Sequence, residues 1–187
     1  MTKTTKVVSL AIPILLLVGC EIGDKDYTFK TEEANKAMSK TVISEKQYPY
    51  YISEQLVEFQ FKKDEILLKL GEASKDNNKY KDVFKTANDM DKTLDLMGNI
   101  TVPDKYRDIH KLIQKGITDA RKGTKFIKDA DKDDGLKIQA AVLNSSPSPH
   151  MLGVDGELWK EAIYELNLES KDAYAKALDK KMKEHAL

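Results

Sequence analysis

The sequence predicts an all-α protein, folded as an antiparallel up-and-down four-helix bundle. After about residue 44, apolar side chains recur at steps of three and four residues, which is the period of an amphipathic helix. No segment of useful length alternates apolar and polar residues, as a half-buried strand would. Short polar connections separate the helical segments, and short connections favour antiparallel neighbours.

The first predicted helix begins at Ser44 and Gln47, which have the spacing of a capping box. Gly71 and the polar residues 75–78 end it. Its apolar stripe consists of Ile52, Leu56, Phe59, Ile66 and Leu70. The second helix ends at Gly98 and Asn99, and its stripe consists of Tyr80, Val83, Ala87, Met90, Leu94 and Met97.

Pro103 and Asp104 mark the start of the third helix, because proline is tolerated in a first helical turn. A break is expected at 129–135, followed by a shorter helical piece. The polar and proline-containing residues 144–149 form the clearest loop. The third helix carries Tyr106, His110, Ile113, Ile117, Ala120, Thr124 and Ile127, and the shorter piece carries Leu136, Ala140 and Leu143.

The last helix is predicted to start near Asp155. Its stripe begins with Trp159, Ile163, Leu166, Ser170, Ala173 and Ala177, and then drifts to Tyr174, Leu178 and Met182. An even number of antiparallel helices would return the C-terminus, near His185, to the end of the bundle where the first helix begins.

The N-terminus has the three parts of an export signal. Lys3 and Lys6 precede an apolar stretch over 7–18, and Gly19 precedes Cys20, the only cysteine of the chain. The stretch is shorter than the roughly 20 apolar residues that span a bilayer. The segment is therefore predicted to be a cleavable signal and not a membrane span.

These residues resemble the lipobox of bacterial lipoproteins, and the likeness covers about the first 20 residues. The resemblance implies that Cys20 takes a diacylglyceryl group, with fatty acyl chains such as palmitate, and that a peptidase cuts between Gly19 and Cys20. It implies a signal peptide at 1–19 and a lipidated N-terminus with a tether at 20–43. The bundle domain then covers 44–187, at the outer face of the cytoplasmic membrane.

Composition narrows the class of protein further. Cleavage after Gly19 would remove two lysines and leave 29 basic and 31 acidic side chains. A nucleic-acid-binding protein would show a basic excess, so no nucleic-acid partner is expected. With Cys20 lipidated, no cysteine remains for a disulfide or a thiolate metal site. The dominance of lysine over arginine is typical of a low-GC genome, which favours a Gram-positive source, with a spirochaete as the alternative.

Three residues are candidates for ligand binding. His110 lies in the helical stripe one turn from Tyr106, where it could serve as a ligand or as a pH-sensitive contact. No second histidine lies at ligand spacing on the same helix; His150 falls in the loop, and no metal site is predicted. Trp159 is the third candidate, although anchoring the core is its more ordinary role.

Two further patterns each allow more than one interpretation. The acidic segment 129–135 resembles a calcium loop, but Asp134 stands where glycine is needed and Ala140 where the bidentate glutamate is needed. A solvated helix junction fits this segment better.

The aromatic residues of the first helix either form an exposed patch or fill one end of the bundle. They are Tyr48, Tyr50, Tyr51, Phe59 and Phe61.

No catalytic motif or cofactor-binding motif occurs, so the sequence predicts neither an enzyme nor a cofactor. The leading hypothesis is a non-enzymatic lipoprotein that acts through contacts with an envelope or extracellular protein. The alternative is a small-ligand-binding or metal-binding lipoprotein with a site between helices near His110.

Overall fold

The computed structural model describes residues 40–145 and 157–185, and it confirms the all-α class. The described elements are β1 (Thr41–Val42), α1 (Tyr48–Ala73), α2 (Tyr80–Gly98), β2 (Ile100–Thr101), α3 (Arg107–Lys128), α4 (Gly135–Ser145), α5 (Glu157–Glu169) and α6 (Ala173–His185). One-turn 3₁₀ helices at Asn77–Lys79 and Asp104–Tyr106 precede α2 and α3.

Helices α1, α2 and α3 run in alternating directions. The Tyr51 hydroxyl at the start of α1 donates to the carbonyl of Leu96 at the end of α2, at 2.9 Å. Gly98 lies beside Gln114 in α3, whereas Asp91 lies beside Thr124. We call the end where α1 and α3 begin the base of the domain, and the end where α1 stops and α2 begins the top.

The apolar stripes predicted for the first three helices form the core. The predicted capping box forms only in part: the Ser44 N–H donates to the Gln47 side chain, but the Ser44 hydroxyl donates to it as well, and α1 begins at Tyr48 without a side-chain cap. The fully or nearly fully buried stripe residues include Ile52, Leu56, Phe59 and Ile66 of α1, Val83, Ala87, Met90, Leu94 and Met97 of α2, and Ile113, Ile117, Ala120, Thr124 and Ile127 of α3.

The folded region begins a few residues before the predicted boundary at 44. Thr41–Val42 pairs in parallel with Ile100–Thr101, and the Thr41 N–H donates to the Asn99 carbonyl at 3.0 Å. Ile43 is buried in the core. The β-branched residues 41–43 favour an extended chain, and β2 supplies backbone partners for it. Residues 20–39 of the predicted tether lie outside the described residues.

Helix α4 packs on α3, but its buried face differs from the predicted one. Ile138 and Val142 are completely buried, whereas Leu136 is 77% exposed and Leu143 is 59% exposed. Ala140 is exposed as well. Both faces of this helix carry apolar residues at helical spacing, so the pattern alone did not distinguish the face that meets the core.

The predicted last helix consists of two helices that run in opposite directions. Helix α5 packs against α3 and runs towards the base, where Glu169 forms an ion pair with Lys105. The chain reverses at Asp172, which has φ 73°, in the left-handed region. The Asn167 side chain accepts from the Tyr174 N–H across this turn.

After the turn, α6 runs parallel to α1, away from the base. Lys180 and Lys181 form ion pairs with Glu54 and Glu58 of α1, and the His185 ring stacks on another α1 residue, Phe61. Four antiparallel helices would place the C-terminus at the base. The end of α6 instead lies away from the base, so this prediction is wrong. At a rise of 1.5 Å per residue, Phe61 lies about 20 Å along α1 from Tyr48.

None of the helices described in 40–145 and 157–185 combines the length and apolar character that crossing a membrane requires.

Candidate functional site

Tyr106 and His110 are brought together at the base with a third residue, Tyr48. The rings of Tyr48 and Tyr106 stack with centroids 4.6 Å apart and an angle of 12° between their planes. Tyr48 meets the His110 ring edge-on, with centroids 5.9 Å apart. All three side chains are buried. Because Tyr48 opens α1 and the other two belong to the start of α3, the cluster joins two chain segments.

Both ring nitrogens of His110 are hydrogen bonded to protein groups. The Tyr48 hydroxyl lies 2.8 Å from Nδ1, and Nε2 lies 2.9 Å from the Gln114 amide nitrogen. The same amide nitrogen also donates to the Gly98 carbonyl. With Gln114 as the donor to Nε2, the neutral ring carries its proton on Nδ1 and donates it to the Tyr48 oxygen.

Burial determines the electrostatics of the cluster. Desolvation, with a smaller contribution from the charge of Lys40, lowers the pKa of His110 to about 4. Burial, reinforced by neighbouring Tyr106, raises the pKa of Tyr48 well above its usual value, and burial raises that of Tyr106 as well. At neutral pH, the cluster is therefore an uncharged hydrogen-bonded unit.

This geometry favours a structural role for His110. A histidine ligand presents a free nitrogen lone pair to the metal, but in His110 both nitrogens already have protein partners. In 40–145 and 157–185 there is also no group of three His, Cys, Asp or Glu side chains arranged to hold a metal ion.

Trp159 is separate from this cluster and lies in the centre of the core. Its indole N–H donates to the Ile113 carbonyl at 3.2 Å, and its ring meets Phe59 edge-on at 5.3 Å. The ring lies directly over Gly116, where an added Cβ would come within 1.9 Å of the indole nitrogen. Trp159 therefore holds α5 against α1 and α3.

Sequence reasoning missed two of the residues that complete these contacts. Gln114 is one helical turn from His110, so its i,i+4 spacing was an available signal. Gly116 is buried within α3, where glycine is unfavourable by about 1 kcal/mol relative to alanine. A glycine in that position signals close packing by a large neighbour, but the sequence does not identify Trp159 as that neighbour.

The aromatic residues of α1 mostly fill the interior. Tyr48, Tyr51 and Phe59 are buried, and the Tyr51 hydroxyl reaches a backbone carbonyl. Burial, with a smaller contribution from Glu54, raises the pKa of Tyr51 to about 12. Of the two alternatives for this group, the structure favours packing inside the domain over an exposed patch.

The acidic segment at 129–135 is a capped helix junction. Asp134 accepts from the backbone N–H groups of Leu136 and Lys137, at 3.1 and 3.2 Å, and so caps the start of α4. The backbone N–H of Lys137, followed by its ammonium group, holds the pKa of Asp134 below its usual value. Asp131 pairs with the same ammonium. The carboxylates of Asp129, Asp131 and Asp134 thus have protein partners, which is consistent with a helix junction.

An open depression of about 410 Å³ lies along α2. It is lined by lysines, with Lys132 placed over the Phe84 ring at 5.7 Å. Asp89 also lines it and forms an ion pair with Lys92 at 2.7 Å. Because the depression is open to solvent and lined by both lysines and an aspartate, its residues do not define a site for a particular ligand.

The outer face of α4 consists of Leu136, Ala140 and Leu143, and all three are exposed. A helix that is apolar on all sides is ordinarily buried on all sides. Lys137 is the only charged residue of α4.

Three residues named in the sequence analysis lie outside the described residues. They are Cys20 and Gly19, the predicted lipidation and cleavage residues, and His150.

Comparisons with protein-family models, curated proteins and solved structures find no match to this chain.

Proposed function

We propose that this chain is a lipid-anchored extracytoplasmic protein that acts through protein–protein contacts and not through catalysis. The anchor rests on the N-terminal pattern, in which an apolar stretch and Gly19 precede the single Cys20. Acylation of Cys20 would hold the domain at the outer face of the cytoplasmic membrane, because two acyl chains give stable attachment.

We also propose that the helices form a variant of an antiparallel four-helix bundle. Helices α1, α2 and α3 occupy three positions, and α4 followed by α5 occupies the fourth. Two observations support this arrangement. The two helices have 11 and 13 residues, against 22 in α3. Both also contribute to the same core, α4 through Ile138 and α5 through Trp159 and Leu166. In this arrangement α6 is an addition on the outside of α1.

The observation that carries the contact function is the outer face of α4. Leu136 and Leu143 are mostly exposed, although Ile138 and Val142 on the other face already anchor the helix. Apolar residues that the fold does not need, exposed in a row, are typical of protein-contact surfaces. Envelope proteins are the partners that the proposed location makes accessible.

The anchor is tested by labelling cells with a fatty acid analogue. The wild-type protein should incorporate the label and fractionate with membranes, whereas Cys20→Ser should remain an unlabelled precursor. Normal labelling of the Cys20→Ser protein would exclude the lipoprotein assignment.

The contact function is tested separately by photo-crosslinking in cells. A photoreactive residue at Leu136 should give a discrete adduct that the additional substitution Leu143→Lys abolishes. The same photoreactive residue at Lys115, which is exposed on α3, is the control. Identical adduct patterns from the two positions would refute a specific contact at α4.

A further inference from the structure

Helix α6 is joined to the domain by little apolar packing. Ala173 and Ala177 are its buried residues, Tyr174 is half-buried against the core, Leu178 is half-buried, and Met182 is 58% exposed. In contrast, α5, which is the same length, buries Trp159 and Leu166. Two alanines and two half-buried side chains remove less apolar surface from water than the buried tryptophan and leucine of α5, so the hydrophobic contribution to docking is smaller for α6 than for α5.

The face of α1 that meets α6 contains an unsatisfied polar group. Residues 50, 54, 58 and 61 contact α6, and helical spacing places Val57 on the same face and Ser53, one turn before it, at the edge of that face. Both are completely or almost completely buried. The Ser53 hydroxyl has no hydrogen-bond partner in the described residues. A buried hydroxyl without a partner weakens the docked state relative to a hydrated one.

Besides the ring contacts of Tyr50 and Phe61, two ion pairs join α6 to α1. Lys180 pairs with Glu54 at 3.1 Å, and Lys181 pairs with Glu58 at 2.5 Å. These side chains are 22% to 40% exposed, so water and salt screen both pairs. The docking of α6 therefore depends on interactions that ionic strength weakens.

The connection to α5 can act as a hinge. Three residues, 170–172, join the two helices, and Asp172 is held in the left-handed region at φ 73°. That conformation is unfavourable for a residue other than glycine. Undocking of α6 would let Asp172 relax without disturbing the packing of α5 against α3.

We infer that α6 is a releasable strap, which detaches from α1 as a unit while the other helices stay folded. Release uncovers the strip formed by Ser53 and Val57, which lies beside the row formed by Glu54 and Glu58. This inference concerns the folded domain, and it stands or falls independently of lipid anchoring and of the outer face of α4.

Amide hydrogen exchange on the full chain tests the inference. Amides of α6 should exchange by local opening, at least about tenfold faster than buried amides of α3. Raising the salt concentration to about 1 M should accelerate the exchange of α6 selectively, because the screening length falls to about 3 Å at that ionic strength and the ion pairs weaken. Equal rates and equal salt dependence in α6 and α3 would mean that α6 belongs to the cooperative core.

Two lysines of α6 provide a matched pair of variants. Lys181 pairs with Glu58 of α1 and, at 3.9 Å, with Glu184 of α6, whereas Lys183 pairs only inside α6, with Asp179, among the described residues. Lys181→Ala should accelerate exchange of α6 by about two- to fivefold, and Lys183→Ala should not. Equal acceleration would indicate fraying within α6 and would overturn the strap.

A third variant, Ser53→Ala, should slow the exchange of α6 where the lysine variant accelerates it. Ser53→Ala removes the hydroxyl that lacks a partner, so it should slow the exchange of α6 by about fivefold or more. Unchanged or faster exchange of α6 in this variant would contradict the assignment of Ser53 to the covered face.

Discussion

Tyr48 and His110, 62 residues apart in the chain, are joined by a buried hydrogen bond of 2.8 Å between the tyrosine hydroxyl and Nδ1. This bond fixes the start of α1 against the second turn of α3. The parallel pairing of β1 with β2 lies next to these helix starts, so the base of the domain is held by both a side-chain contact and a backbone contact.

Removing the hydroxyl should destabilise the domain. Tyr48→Phe leaves a polar atom of His110 without its partner in a buried site, and we expect the free energy of unfolding to fall by about 1–3 kcal/mol. Tyr164→Phe is the control, because Tyr164 is 62% exposed, and it should change stability by less than about 0.5 kcal/mol. Urea unfolding measures both. Equal losses would show that the buried bond contributes nothing of its own.

His110 should make stability depend on pH. Its pKa is about 4 in the folded protein, against an ordinary value of 6.5, because burial disfavours the charged ring. Between these values the unfolded chain binds more protons, so stability rises with pH from about 4 to about 6.5. The full effect is on the order of 3 kcal/mol at neutral pH. It is lost as the pH falls through the folded pKa.

The variant His110→Gln isolates this contribution, since glutamine does not titrate. Unfolding free energies measured from pH 4 to 7 should rise more steeply for the wild type than for the variant. Parallel curves would mean that His110 has the same pKa in the folded and unfolded states.

Two glycines should respond oppositely to alanine. Gly116→Ala places a methyl group against the Trp159 indole, so steric overlap should outweigh the roughly 1 kcal/mol gain in helix propensity. Gly71→Ala meets nothing within 4 Å and should stabilise the domain by up to about 1 kcal/mol. Thermal unfolding followed by tryptophan fluorescence measures both. Stabilisation by Gly116→Ala would contradict the close packing of Trp159 on α3.

The sequence predicted the helices that have one apolar face. In α2, every residue of the predicted stripe, from Tyr80 to Met97, is buried, because the other faces of the helix are strongly polar. The placement of Tyr106 and His110 one helical turn apart was predicted for a similar reason, since it depends on local helical spacing. Contacts that depend on the arrangement of helices, such as Tyr48 with His110, have no signal in local spacing.

The errors at the C-terminal side have identifiable causes. The stripe that begins at Trp159 drifts after Ser170, and this drift coincides with the reversal at Asp172. A left-handed aspartate is hard to predict, because glycine is the usual residue at such a turn. In α4, the two apolar faces are equivalent in the sequence, and only packing against α3 selects Ile138 over Leu136.

The two faces of α4 should therefore differ sharply in their contribution to stability. Ile138→Ala removes a completely buried side chain, so the free energy of unfolding should fall by about 2–5 kcal/mol through lost apolar burial and the resulting cavity. Leu136→Ala, on the outer face, should change it by less than about 0.5 kcal/mol, because this leucine is 77% exposed. Both substitutions introduce alanine into the same short helix, so differences in helix propensity contribute little. Urea unfolding of the two variants measures the contrast. A larger loss from Leu136→Ala than from Ile138→Ala would reverse the assigned faces, and the outer face of α4 would then be part of the core.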